Sequence, residues 1–141
     1  MKKSTDELFK SIDNAKSFDD FFKEEIEEFI FDSTSDFLQK KIKEKGLKRS
    51  DIIKKSNLAK QYAYQIIDGR KPNPSRNKLL MIAVGMGLNF KETQALLNLS
   101  KQSPLYPRDP RDSAIIFTLK RGENIIQINE QLEEHGLDIL E

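Results

Sequence analysis

Residues 46–88 read GLKRSDIIKKSNLAKQYAYQIIDGRKPNPSRNKLLMIAVGMGL, and this stretch decides the fold. Its apolar residues recur at intervals of three and four and do not alternate, which is the period of helices resting on a shared core. Gly46, Asn57 and the Asp68-Gly69 pair punctuate it. The spacing predicts helices near 49–56 and 59–67 joined by a turn at Asn57-Leu58. After the loop from Arg70 to Pro74 it predicts a helix that Ser75 caps and that Gly85 or Gly87 closes. On the second of these helices, with Lys60 at 0° and about 100° per residue, Tyr64 falls at ~40°, Gln61 at ~100° and Gln65 at ~140°. At the same ~100° per residue, Tyr62 falls at ~200°, Ile66 at ~240°, Ala63 at ~300° and Ile67 at ~340°. One short helix therefore divides into a polar arc and a dry face.

Outward in both directions the chain reads as helix. Upstream, Ser4 with Glu7 forms a capping-box pattern before Leu8, Phe9 and Ile12. Ser17 with Asp20 opens a longer acidic helix, expected over 17–31, with Phe18, Phe21, Phe22, Ile26, Phe29 and Ile30 in one apolar stripe. Ser33-Thr34-Ser35 breaks it and caps a helix from Asp36 to Lys45, which Gly46 ends. Downstream, Asn89 with Glu92 starts a helix through Leu99. The loop from Ser103 to Asp109 follows, and its Leu105-Tyr106-Pro107-Arg108 element is expected to turn leucine and tyrosine inward. Asp109-Pro110 is a cap followed by a first-turn proline, leading a helix to Gly122. Asn124 with Gln127 caps the last helix, which ends at His135-Gly136. Gly87-Leu88-Asn89-Phe90 and Gly122-Glu123-Asn124-Ile125 echo one another as two similar helix starts.

Composition narrows the function classes. With 37% hydrophobic and 33% charged residues, and only five prolines and six glycines, the chain suits a helical domain and not a disordered or collagen-like one. No apolar run approaches the roughly 20 residues that cross a bilayer, and the first residues lack a hydrophobic signal core, so a cytoplasmic location is expected. Cysteine is absent, which removes disulfides and leaves no expected metal site or cofactor. His135 reads as a cap-proximal residue beside a helix-ending glycine, where a cation would suit the dipole, and Glu24, Glu25, Glu27 and Glu28 as a solvated face without a nucleophile or pocket. No enzyme is expected.

Charge is unevenly distributed. Residues 1–34 hold ten acids and five bases, residues 35–85 four acids and thirteen bases, and residues 86–141 nine acids and six bases. The chain's formal charge of +1 thus conceals a middle segment of +9, the kind of local field that draws polyanions.

Through Gly46-Leu47, Ile52, Lys55-Ser56, Tyr62, Ile66, Asp68-Gly69, Pro74-Ser75, Leu79-Leu80, Ala83 and Gly87-Leu88, the segment resembles the lambda-repressor/Cro-like, or XRE, helix-turn-helix family. The wider chain, with an acidic arm before the motif and Leu105 to Arg108 after it, is similar to XRE-type regulators of Firmicutes. The resemblance implies an all-α fold with a five-helix core and helical extensions at both ends. The expected divisions are an acidic amphipathic arm over 1–34, a DNA-binding domain over 35–88 and a C-terminal extension over 89–141. Lys48 and Ala59 stand where caps usually precede the two central helices, and Asn57 stands at the turn glycine, a place where asparagine tolerates the left-handed conformation.

The resemblance also assigns roles. Lys60, Gln61 and Gln65 fall where the family reads bases in the major groove of double-stranded DNA, and Tyr64, on the same polar arc, is a fourth expected base-reading residue. The chemistry agrees, because glutamine pairs with adenine edges, lysine with guanine O6 or N7, and tyrosine with a thymine methyl or a phosphate. Arg49, Arg70, Lys71, Ser75 and Arg76 are the expected phosphate contacts, the last four flanking the start of a helix. A homodimer on a pseudo-palindromic site is expected from the family. The alternative is a protein-interaction adaptor or antitoxin-like partner using the same fold, the Phe-rich arm and the Leu-Tyr-Pro-Arg loop. The arm itself reads as a packing segment for the C-terminal helices, as a dimer or partner surface, or as an acidic competitor for the basic motif.

Overall fold

The computed structural model describes residues 3–26 and 33–141. Within them every regular element is a helix, and none is long and apolar enough to cross a membrane. The chain divides into two compact units, Met1–Phe31 and Asp32–Glu141.

The first unit holds α1 (Thr5–Asn14) and α2 (Phe18–Glu24). Ser4 Oγ accepts from the Glu7 N–H at 3.1 Å while the Glu7 carboxylate accepts from the Ser4 N–H at 3.3 Å, closing the expected capping box. Ser17 caps α2 through the Asp20 N–H. Glu25 is buried, and it accepts from Lys3 Nζ and from Ser11 Oγ, which ties it to the residue before the cap of α1 and to α1 itself. The Lys3 hydrogen bond outweighs desolvation and, helped by Ser11, holds that carboxyl below its ordinary range. α2 ends at Glu24, short of the helix expected over 17–31. Of the expected stripe, Phe21 is buried, Phe22 half-buried, and Phe18 and Ile26 exposed. Phe29 and Ile30 lie outside the described residues.

The second unit carries α3 (Thr34–Lys45), α4 (Arg49–Ser56), α5 (Lys60–Asp68), α6 (Arg76–Gly85), α7 (Phe90–Leu99), α8 (Pro110–Lys120) and α9 (Ile125–Glu134). Ser33 caps α3 with a reciprocal box to Asp36, so this helix starts two residues before Asp36. α6 is the axis of the unit. Leu79, Leu80, Met81, Ile82 and Ala83 are all buried, and a helix dry on every side must be surrounded by others. α4, α7 and α9 pack on it. Leu38 of α3, Ile52 of α4, Ile66 and Ile67 of α5, Leu96 and Leu97 of α7, Ile115 of α8 and Ile128 and Leu132 of α9 join the same buried cluster.

Of the two glycines that could close α6, Gly87 takes the left-handed conformation at φ 68°. Gly85 stays helical for a different reason. A Cβ there would lie 2.7 Å from the Ile52 carbonyl oxygen and 2.9 Å from the Ser56 nitrogen, so only glycine lets α4 and α6 approach this closely. Asn57, at φ 58°, takes the left-handed turn after α4 as its residue type allows.

The loop after α7 differs from expectation. Leu105 is buried, but Tyr106 is 54% exposed and faces out. Gln94 clamps Leu105 by accepting from its N–H at 2.7 Å and donating to its carbonyl at 3.0 Å, while the Tyr106 N–H donates to Asp112 at 3.0 Å.

Candidate nucleic-acid interface

α5 is positioned from both of its ends. Its start follows α4 through only Asn57, Leu58 and Ala59, with Leu58 buried. At its other end the Ile67 carbonyl accepts from Ser35 Oγ at 2.7 Å and from Gln39 Nε2 at 3.0 Å, so side chains of α3 satisfy a carbonyl that the helix itself leaves open. Ala63, Ile66 and Ile67 are buried, which fixes the rotation of the helix about its axis. Lys60 and Gln61 are then exposed, and Tyr64 and Gln65 half-buried. The side chains of these four make no hydrogen bond or ion pair with any described residue. Two amides, an ammonium and a phenol stand together on one arc, free to donate and accept.

Neither α4 nor α5 has a side-chain cap. Lys48 and Ala59 occupy those positions, as the sequence indicated, and the first N–H groups of both helices remain open.

The expected phosphate contacts fall into three groups. Arg49 and Arg70 are exposed but share one carboxylate: Asp68 accepts from Arg49 Nη1 at 2.7 Å and from Arg70 Nη2 at 3.5 Å. Asp68 is the one acid in α5, and the two arginines neutralise it at the end of the polar arc. Lys71 and Ser75 are exposed, and Ser75 Oγ caps α6 through the Lys78 N–H at 3.3 Å. Arg76 is committed elsewhere. Its Nη1 and Nη2 donate to the two carboxylate oxygens of Asp112, each at 2.9 Å. Its Nε donates to the Ser103 carbonyl at 2.9 Å and Nη2 also to the Pro104 carbonyl at 3.1 Å. The guanidinium fork is filled by the protein, and Asp112 is buried, so Arg76 fastens α6 to α8 and the intervening loop instead of facing an outside phosphate.

Two residues missing from the expected site sit beside it. The Nζ of Lys71 lies 5.1 Å from the centre of the Tyr62 ring, and that of Lys78 lies 5.4 Å from the same centre. Tyr62, assigned by periodicity to the dry face, is half-buried and carries both ammonium groups. A local signal for Lys78 does exist in the sequence. It stands three residues after the cap Ser75, where a capping box would place glutamate and where the helix dipole disfavours a cation. No family model, no curated protein and no solved structure matches this chain.

Proposed function

We propose that residues 35–88 form a lambda-repressor/Cro-like helix-turn-helix and that the chain is a sequence-specific regulator of transcription, with α5 reading the major groove of double-stranded DNA. The observation that carries this reading is the arc of Lys60, Gln61, Tyr64 and Gln65, turned away from a buried face and without side-chain hydrogen-bond or ion-pair partners among the described residues. A helix of nine residues is about 13 Å long, close to the roughly 12 Å width of the groove. In this reading Gln61 and Gln65 bond adenine edges, Lys60 bonds guanine, and Tyr64 meets a thymine methyl or a phosphate. Arg49, Arg70, Lys71 and the capped start of α6 at Ser75 set register on the backbone. Arg76 has no part in it.

A homodimer on a pseudo-palindromic site follows from the reach of one such helix, which contacts too few base pairs for strong discrimination. Selection from random duplexes with the purified chain tests specificity and half-site spacing together. Recovery of paired half-sites about one helical turn apart supports the reading; recovery of no preferred sequence, with weak binding to every duplex, rejects it.

A second reading, a protein-interaction adaptor, draws on the first unit, where Phe9 and Phe18 are 61% and 73% exposed. Ionic strength separates the two. Affinity for DNA falls with log salt at a slope of about −0.9 per phosphate contact, whereas an apolar protein contact hardly responds.

A further inference from the structure

We infer that Tyr62 seats Lys71 and Lys78 as a two-cation clamp for the phosphodiester backbone of duplex DNA along one border of the α5 arc; this rests on the DNA reading above. Both ammonium groups lie within cation–π reach of one ring, at 5.1 and 5.4 Å from its centre. They are therefore no farther apart than about one Debye length at 0.1 M salt, roughly 10 Å, and act on an approaching anion as one field.

Neither lysine pairs with a carboxylate among the described residues, and three acids of the second unit are already engaged: Asp68 by Arg49 and Arg70, Glu92 by Lys41 and Lys45, Asp112 by Arg76. Lys78 sits in the first turn of α6, where its charge opposes the helix dipole, and a glutamate there would stabilise the helix. An anion brought to that point reverses the sign of the interaction. Geometry also places the clamp beside the reading face. Tyr62 stands about 60° round α5 from Gln65, and Lys78 about 200° round α6 from the committed Arg76, on the side that faces α5.

The test titrates the full chain with its selected duplex across a salt series of about 50 to 200 mM. Lys71→Gln and Lys78→Gln are each expected to flatten the salt slope by about 0.9 and to leave base preference unchanged. Tyr62→Phe, which keeps the ring, retains the parent slope. Tyr62→Leu weakens binding, and in its background Lys78→Gln costs less than it does alone, because the seat is already gone. Lys120 of α8 makes a similar contact with Phe90 of α7, 5.0 Å from that ring's centre. Lys120→Gln should leave the slope unmoved. The clamp is overturned if Lys71→Gln and Lys78→Gln keep the parent slope, if Lys120→Gln flattens it equally, or if Lys78→Gln has the same effect with and without the ring. A parent chain that binds no duplex removes the DNA reading and the clamp together. A parent chain with a steep slope that neither lysine alters removes the clamp alone.

Discussion

α4 and α5 begin differently from their neighbours. α3, α6, α7, α8 and α9 start at Ser33, Ser75, Asn89, Asp109 and Asn124, each accepting a hydrogen bond from the N–H three residues on. α4 and α5 start at Lys48 and Ala59, whose side chains accept nothing. A missing cap costs about 0.5–2 kcal/mol, so these two helices depend on packing for what the others obtain locally. Ile52 and Ser56 press α4 onto α6, and Ala63, Ile66 and Ile67 hold α5. The difference shows that order at a helix start and accessibility of its N–H groups are separable. In α5 the scaffold supplies the order from behind and leaves the front of the helix open.

The largest expected effect tests that dependence on packing. Gly85→Ala drives a Cβ into backbone atoms of α4 that cannot step aside, and should cost about 3 kcal/mol in chemical denaturation, the upper end of overpacking. An unchanged midpoint would mean that α4 is held by something other than its seat on α6. Next comes Arg76→Ala, which strips Asp112 of its bidentate partner. It should cost about 2 kcal/mol, less than a fully buried pair because Arg76 remains partly exposed, and leave the salt slope of duplex binding intact. A flattened slope would return Arg76 to the phosphate contacts.

Ala59→Asp sharpens the comparison directly by giving α5 the cap it lacks. Stability should rise by about 1 kcal/mol while every duplex binds more weakly, since the new carboxylate occupies the open N–H groups and repels phosphate. Tighter duplex binding would show that those N–H groups take no part. The smallest effect is one of pH, at the junction of α3 with α7. Desolvation pushes the Glu92 carboxyl up, but the Asn89 N–H and the ammonium groups of Lys45 and Lys41 prevail and hold it below its ordinary value. A carboxylate depressed on folding stabilises fully above its unfolded value and loses that contribution as pH falls through the folded one. Acid titration of stability should therefore be shallower in Glu92→Gln, by less than about 1 kcal/mol as for other solvent-accessible ion pairs. Curves that superimpose would remove this junction from the acid response.

The helices are legible in the sequence because their signals are local. Ser4 with Glu7, Asn89 with Glu92, and Asn124 with Gln127 each specify a reciprocal box within four residues, and all three form. The polar arc of α5 is legible for the same reason, since periodicity alone separates Gln61 and Gln65 from Ile66 and Ile67. What escapes depends on distant partners. Nothing near Arg76 announces Asp112, thirty-six residues on. Nothing in two similar glycines tells which ends α6 and which admits α4. Tyr106 reads as core by its type but faces out, beside a leucine that Gln94 clamps. Periodicity places Tyr62 toward the scaffold, but the two lysines converging on it come from the following loop and from α6, which a helical wheel of α5 does not include.

Because α6 is enclosed on all sides, it sheds its protection only when several neighbours have let go. In amide hydrogen exchange its central peptides from Leu80 to Ala83 should be the last of the described chain to take up deuterium, at a rate tracking global opening. The open first turn of α5 should label early, so a bound polyanion ought to slow the rim of the molecule far more than its centre.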